Sequence, residues 1–135
     1  MVAAFVGEPA RHEVEALLRG GDTGVTSANL TEVIDVLVRV FGNDLAAVEA
    51  KLVPLLATHL SVKTLGEAEA RRATEIRITH YHRREKPLSL GDCLLLGTAV
   101  VLGAAVATSD IPVARSARSE GLKVIPLRDS AGKRP

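Results

Sequence analysis

The stretch that decides the fold class is residues 89–127, SLGDCLLLGTAVVLGAAVATSDIPVARSARSEGLKVIPL. Ser89 to Leu102 has the composition of an apolar helix, and Ala104 to Thr108 that of a strand. Ile111 to Glu120 reads as a short helix, and Leu122 to Ile125 as a second strand. Strands separated by helices require parallel pairing, because the crossover helix returns the chain to the same edge. Each piece is apolar enough to be expected buried on both sides. The same alternation continues upstream. Residues 9–18 form a helix stopped by Gly20-Gly21, and residues 24–27 form a short strand. Leu30, Val33, Ile34, Leu37 and Phe41 recur at helical spacing and make one apolar face. A second helix covers 44–57 with a bend at Pro54, a strand 60–64, and a charged helix 66–81.

The chain has 135 residues, 47% apolar and 24% charged, enough for one ordinary core. Lys and Arg total 17 against 16 Asp and Glu, a net +1 that excludes binding by bulk charge. Phe5, Phe41 and Tyr81 are the whole aromatic set, so an extended base-stacking platform is excluded too. The single cysteine, Cys93, allows no internal disulfide and no paired-cysteine zinc site, which fits a reducing cytoplasm. The N-terminus lacks a basic region and a long apolar run, so no signal peptide is read there. The most apolar run, residues 93–107, is 15 residues long, shorter than the ~18 of a membrane span. A cytoplasmic protein without a membrane anchor is expected. Residues 129–135 read as a flexible tail after a single domain over 1–128.

Three acids begin helices in this reading. Asp92 lies in Ser89-Leu90-Gly91-Asp92, and Glu32 in Asn29-Leu30-Thr31-Glu32. Asp110 lies in Thr108-Ser109-Asp110-Ile111-Pro112. Each has a structural role open to it: capping boxes from Ser89 and Asn29, and Asp110 as N-cap before a proline. Jointly they carry more. In a parallel α/β sheet the helix N-termini gather at the carboxyl edge, where ligands bind. Clustered carboxylates repel unless a cation relieves them, and carboxylates with water suit Mg²⁺ or Mn²⁺. Two such ions about 3.5–4 Å apart can drive phosphodiester hydrolysis.

With these residues in view the chain resembles the PIN-domain ribonucleases, specifically the VapC-like toxins of toxin–antitoxin pairs. The matching segments are Ala3-Ala4-Phe5-Val6-Gly7-Glu8-Pro9, Ser27-Ala28-Asn29-Leu30-Thr31-Glu32-Val33, Leu88-Ser89-Leu90-Gly91-Asp92-Cys93 and Ala105-Val106-Ala107-Thr108-Ser109-Asp110. The ending Gly121-Leu122-Lys123-Val124-Ile125-Pro126-Leu127 is similar to the family's last strand. The resemblance implies a three-layer αβα sandwich around a five-stranded parallel sheet. It also implies an Mg²⁺- or Mn²⁺-dependent endoribonuclease acting on RNA, with a cognate VapB-like antitoxin as partner. Carried over residue by residue, the metal-binding and catalytic acids are Glu32, Asp92 and Asp110, with Ser109 or Thr108 as the accompanying hydroxyl. One feature departs from the pattern: the family's first strand ends in an aspartate, and this chain opens after it. The first strand is thus read as truncated, and an upstream start supplying roughly five to ten residues with that Asp is expected. The alternative reading is a catalytically inactive PIN-fold protein that binds a protein or RNA. A phosphatase or phosphotransfer domain is disfavoured, since there is no Asp-x-Asp pair or Gly-rich phosphate loop.

Other residues invite chemistry less strongly. His80 and His82 point apart on a helix and are read as solvated or weakly hydrogen-bonded rather than metal-binding. Arg71, Arg72, Arg77, Arg83, Arg84 and Lys86 form either a solvated face paired with Glu67, Glu69, Glu75 and Glu85 or a rim that guides phosphates. Cys93 reads as a buried thiol and Asp35 as the partner of Arg39. The face of Leu30, Val33, Ile34 and Leu37 is core, or in part the contact of an expected homodimer.

Overall fold

The computed structural model describes residues 9–84 and 87–135. The readings placed on Met1 to Glu8, including the truncated first strand, lie outside the described residues, as do those on Glu85 and Lys86. The chain divides into two compact units, Met1–Thr64 and Leu65–Pro135.

In the first unit, α1 (Arg11–Arg19) leads into β1 (Thr23–Thr26) and α2 (Ser27–Asp35). A π-helical turn, Val36–Val40, continues α2, and α3 (Leu45–Thr58) and β2 (Leu60–Lys63) complete the unit. β1 and β2 pair in parallel, with Thr23 opposite Leu60 and Thr26 opposite Lys63. Val33, Leu37, Val48 and Leu52 form the buried centre, flanked by Leu30, Ile34, Val38 and Leu56. The apolar face read through Phe41 ends earlier. In the π turn Phe41 N–H reaches back five residues to Val36 O (3.1 Å), a wider winding than the 3.6-residue turn. That rotation carries Phe41 off the buried stripe, and it is 48% exposed. α3 begins at the cap Asp44, whose carboxylate accepts from Ala47 N–H (3.1 Å), and runs on through Pro54.

In the second unit, α4 (Glu67–His80) precedes α5 (Leu90–Leu102), β3 (Val106–Thr108), α6 (Ile111–Ser119) and β4 (Val124–Pro126). β3 and β4 are parallel, Val106 opposite Val124, with α6 as the crossover. Ala73, Ile76, Leu88, Cys93, Leu96, Ala99, Val106, Val113 and Ala117 make the core. Gly97 makes the α4–α5 contact possible. A Cβ there would lie 2.7 Å from Ala73 N and 2.8 Å from Glu69 O, closer than any side chain tolerates. Gly103 ends α5 in the left-handed conformation (φ 61°), a backbone state that glycine adopts without strain.

The fold is thus a helix-rich α/β arrangement with parallel strands, as the alternation requires. The strands depart from expectation in two ways. Among the described residues they form two two-stranded sheets rather than one of five. β3 buries only one side: Val106 is 2% exposed while Ala107 faces outward. Alternation of side chains across a strand gives the core one position in two, and α6 covers that side with Val113 and Ala117. Residues 129–135 close a turn on Asp129, whose carboxylate accepts from Ala131 and Lys133 N–H (2.9 and 2.7 Å).

Candidate active site

Asp110 stands two residues beyond β3. Its Oδ1 accepts from Val113 N–H (2.9 Å), and its own N–H donates to Thr108 Oγ1 (3.0 Å). Pro112 lies in the first turn of α6, where a missing N–H costs nothing. Of the two hydroxyls considered beside this acid, Thr108 is the one bonded to it. Asp92 closes a reciprocal capping box: Ser89 Oγ accepts from Asp92 N–H (3.0 Å), while Asp92 Oδ2 accepts from Ser89 N–H (2.7 Å). Both acids lie where the helix dipole stabilises negative charge. Among the described residues, Asp92 Oδ1 and Asp110 Oδ2 have no hydrogen-bond partner.

Glu32 is placed differently from the expected box. The cap of α2 is Thr26, the last residue of β1, whose Oγ1 accepts from Asn29 N–H (3.1 Å). A strand that runs directly into a helix makes its own final hydroxyl the nearest acceptor for the free N–H groups. Asn29 therefore occupies the first turn, and Glu32 comes a turn later, exposed, with Asn29 Nδ2 donating to its Oε2 at 3.5 Å. Glu32 has no capping role.

Asp35 is taken by Arg39, which donates from Nε and Nη2 to the two carboxylate oxygens (2.9 Å each). The hydrogen bond from Arg39 holds the Asp35 carboxyl below the usual carboxylate range, with burial opposing it. Cys93 is fully buried, and that burial pushes its thiol up, while Arg77 partly offsets the rise.

Glu32 belongs to the first unit, and Asp92 and Asp110 to the second. Among the described residues no group of three or more His, Cys, Asp or Glu side chains can hold a metal ion. As donors the three acids suit a hard cation: all are carboxylates, and Asp92 and Asp110 each retain an oxygen beyond the capping bond.

Of the two readings for His80, solvated or hydrogen-bonded, the structure has the second. Its side chain is 11% exposed, and Nε2 lies 2.6 Å from Glu120 Oε1. The other Glu120 oxygen accepts from Arg72, which also donates to Glu75 (2.6 Å). No local spacing signals this cluster, because Glu120 lies 40 residues from His80 and 48 from Arg72.

Parallel strands alternating with helices, with Asp92 in the first turn of α5 and Asp110 capping α6, define an α/β protein with two of its acids at helix starts. The chain belongs to the PIN domain family, which it matches over residues 1–119. PIN domains are generally metal-dependent nucleases, and they often pair with antitoxins. No curated protein matches the chain. Among the described residues, no helix is long and apolar enough to cross a membrane.

Proposed function

We propose that this PIN-domain protein is the endoribonuclease toxin of a toxin–antitoxin pair, acting in the cytoplasm, with Glu32, Asp92 and Asp110 as the acids that hold Mg²⁺ or Mn²⁺. The observation that carries the proposal is the family match over residues 1–119, which spans all three acids. When bound, such a cation lowers the pKa of water and stabilises the leaving oxygen of a phosphodiester. The chain's own contribution is to fix the carboxylates. Ser89 N–H and Val113 N–H each occupy one oxygen, so neither side chain turns freely. A VapB-like antitoxin would silence the acids by placing an Arg or Lys among them, since a guanidinium or ammonium can replace a metal's charge.

The test is cleavage of single-stranded RNA by the purified chain with Mg²⁺, with Mn²⁺ and with EDTA. Cleavage confined to the metal-containing reactions is the expected result; none under any condition rejects the proposal. Growth inhibition on expression, relieved by the cognate antitoxin, tests the pairing. A second reading, a PIN-fold protein that binds RNA or protein without cutting, predicts RNA binding in EDTA and no cleavage in Mg²⁺ or Mn²⁺.

A further inference from the structure

The cations at residues 71–84 divide into two kinds. Arg71 pairs with Glu67 (2.8 Å), and Arg72 with Glu75 and Glu120. Arg77 donates to Leu88 O (3.1 Å), and its guanidinium lies over the Tyr81 ring, 4.4 Å from the centroid. Arg83 and Arg84 are exposed, and among the described residues neither has an ion-pair partner. With His82 they line a concavity of about 500 Å³, room for a nucleotide rather than a single water. Tyr81 precedes them directly and is 41% exposed although Arg77 covers one face of its ring.

We propose that the turn after α4 is a contact for single-stranded RNA, in which Arg83 and Arg84 take backbone phosphates and Tyr81 stacks an unpaired base. The physical case is complementarity. Two arginines without a described anionic partner keep their full forks for phosphate oxygens, which a planar guanidinium matches in pairs. Arg77 holds the Tyr81 ring in place, so little ordering remains when a base stacks on it. The choice of RNA rests on the ribonuclease reading; the concentration of positive charge does not.

The test measures anisotropy of a short labelled single-stranded RNA with the full chain in EDTA, where metal-dependent cleavage is silent. Arg83→Ala/Arg84→Ala should weaken binding by about tenfold or more. It should also flatten the slope of log K against log salt by roughly 1.4, about 0.7 for each lost phosphate contact. Arg83→Lys/Arg84→Lys should restore the slope, which a merely structural role would not predict. Tyr81→Leu should weaken binding about tenfold at unchanged slope, and Tyr81→Phe should not. An unchanged affinity and slope in the double alanine variant, with unchanged melting temperature, overturns the proposal. So does a loss confined to binding of polyglutamate, which would assign the surface to an acidic protein. Metal-independent binding of this kind without cleavage in Mg²⁺ or Mn²⁺ would reject the ribonuclease reading and leave the RNA contact standing.

Discussion

His80 Nε2 and Glu120 Oε1 lie 2.6 Å apart and fasten the last residue of α4 to the residue that follows α6. An ionised carboxylate only accepts, so the imidazole carries its proton on Nε2 in this contact. Arg72 occupies the other oxygen, and both His80 and Glu120 are 11% exposed. Glu120 thus serves two donors on one helix, Arg72 and His80, about two turns of α4 apart. Replacing it by alanine should cost roughly 2 kcal/mol, the scale of hydrogen bonds to charged groups. Urea denaturation checks this. A double cycle with His80→Ala should show coupling of at least about 0.5 kcal/mol, and strictly additive losses would mean the contact is energetically inert.

Gly97→Ala should be among the most damaging single-methyl changes in the second unit. The added carbon meets backbone atoms of α4 at 2.7 and 2.8 Å, and backbone cannot yield as a flexible side chain does. A loss of about 1–3 kcal/mol is expected, the range for overpacking. A melting temperature equal to that of the unaltered chain would show that α4 and α5 can separate freely.

Asp110 allows capping to be separated from chemistry. Asn is as good an N-cap as Asp, so Asp110→Asn should fold with nearly unchanged stability, whereas Asp110→Ala should lose about 1 kcal/mol. If the acid also holds metal, Asp110→Asn should abolish metal-dependent cleavage, and Asp92→Asn should do the same. Full activity in Asp110→Asn would confine that residue to the cap.

Cys93 should be silent toward thiol reagents in the native protein. The side chain is fully buried, and burial raises its pKa, so both access and thiolate are scarce. Labelling with a chromogenic disulfide at mildly alkaline pH should await denaturant. Rapid stoichiometric labelling of the folded chain would contradict the packing of α5.

Asp35 supplies a pH dependence of known sign. Its folded pKa lies below the ordinary value of 3.8, because Arg39 bonds the ionised form. The contribution is therefore complete above that value and disappears as pH falls through the lower, folded pKa. The effect on stability should be small at this exposed pair, but the titration itself is visible by carboxyl NMR. In Arg39→Ala the midpoint should move up toward 3.8; an unmoved midpoint would mean the ion pair is not populated.

The sequence by itself determined the alternation of helices and parallel strands, because periodicity and breakers act locally. Residues 89–127 show this most clearly: Ser89 and Asp92 close their capping box, Asp110 caps α6, and both strands form. The Asp35–Arg39 pair was legible for the same reason, being one helical turn apart. Glu32 lay one step beyond that reach. Its register depends on where β1 ends, and Thr26 rather than Asn29 took the free N–H groups. Only the tertiary structure decided the rest. Glu120, His80 and Arg72 meet across 40 and 48 residues, and Gly97 shows its purpose only when α4 lies against it. Contacts of that separation follow from how helices pack on a shared core, and no local pattern encodes the partner a side chain will meet there.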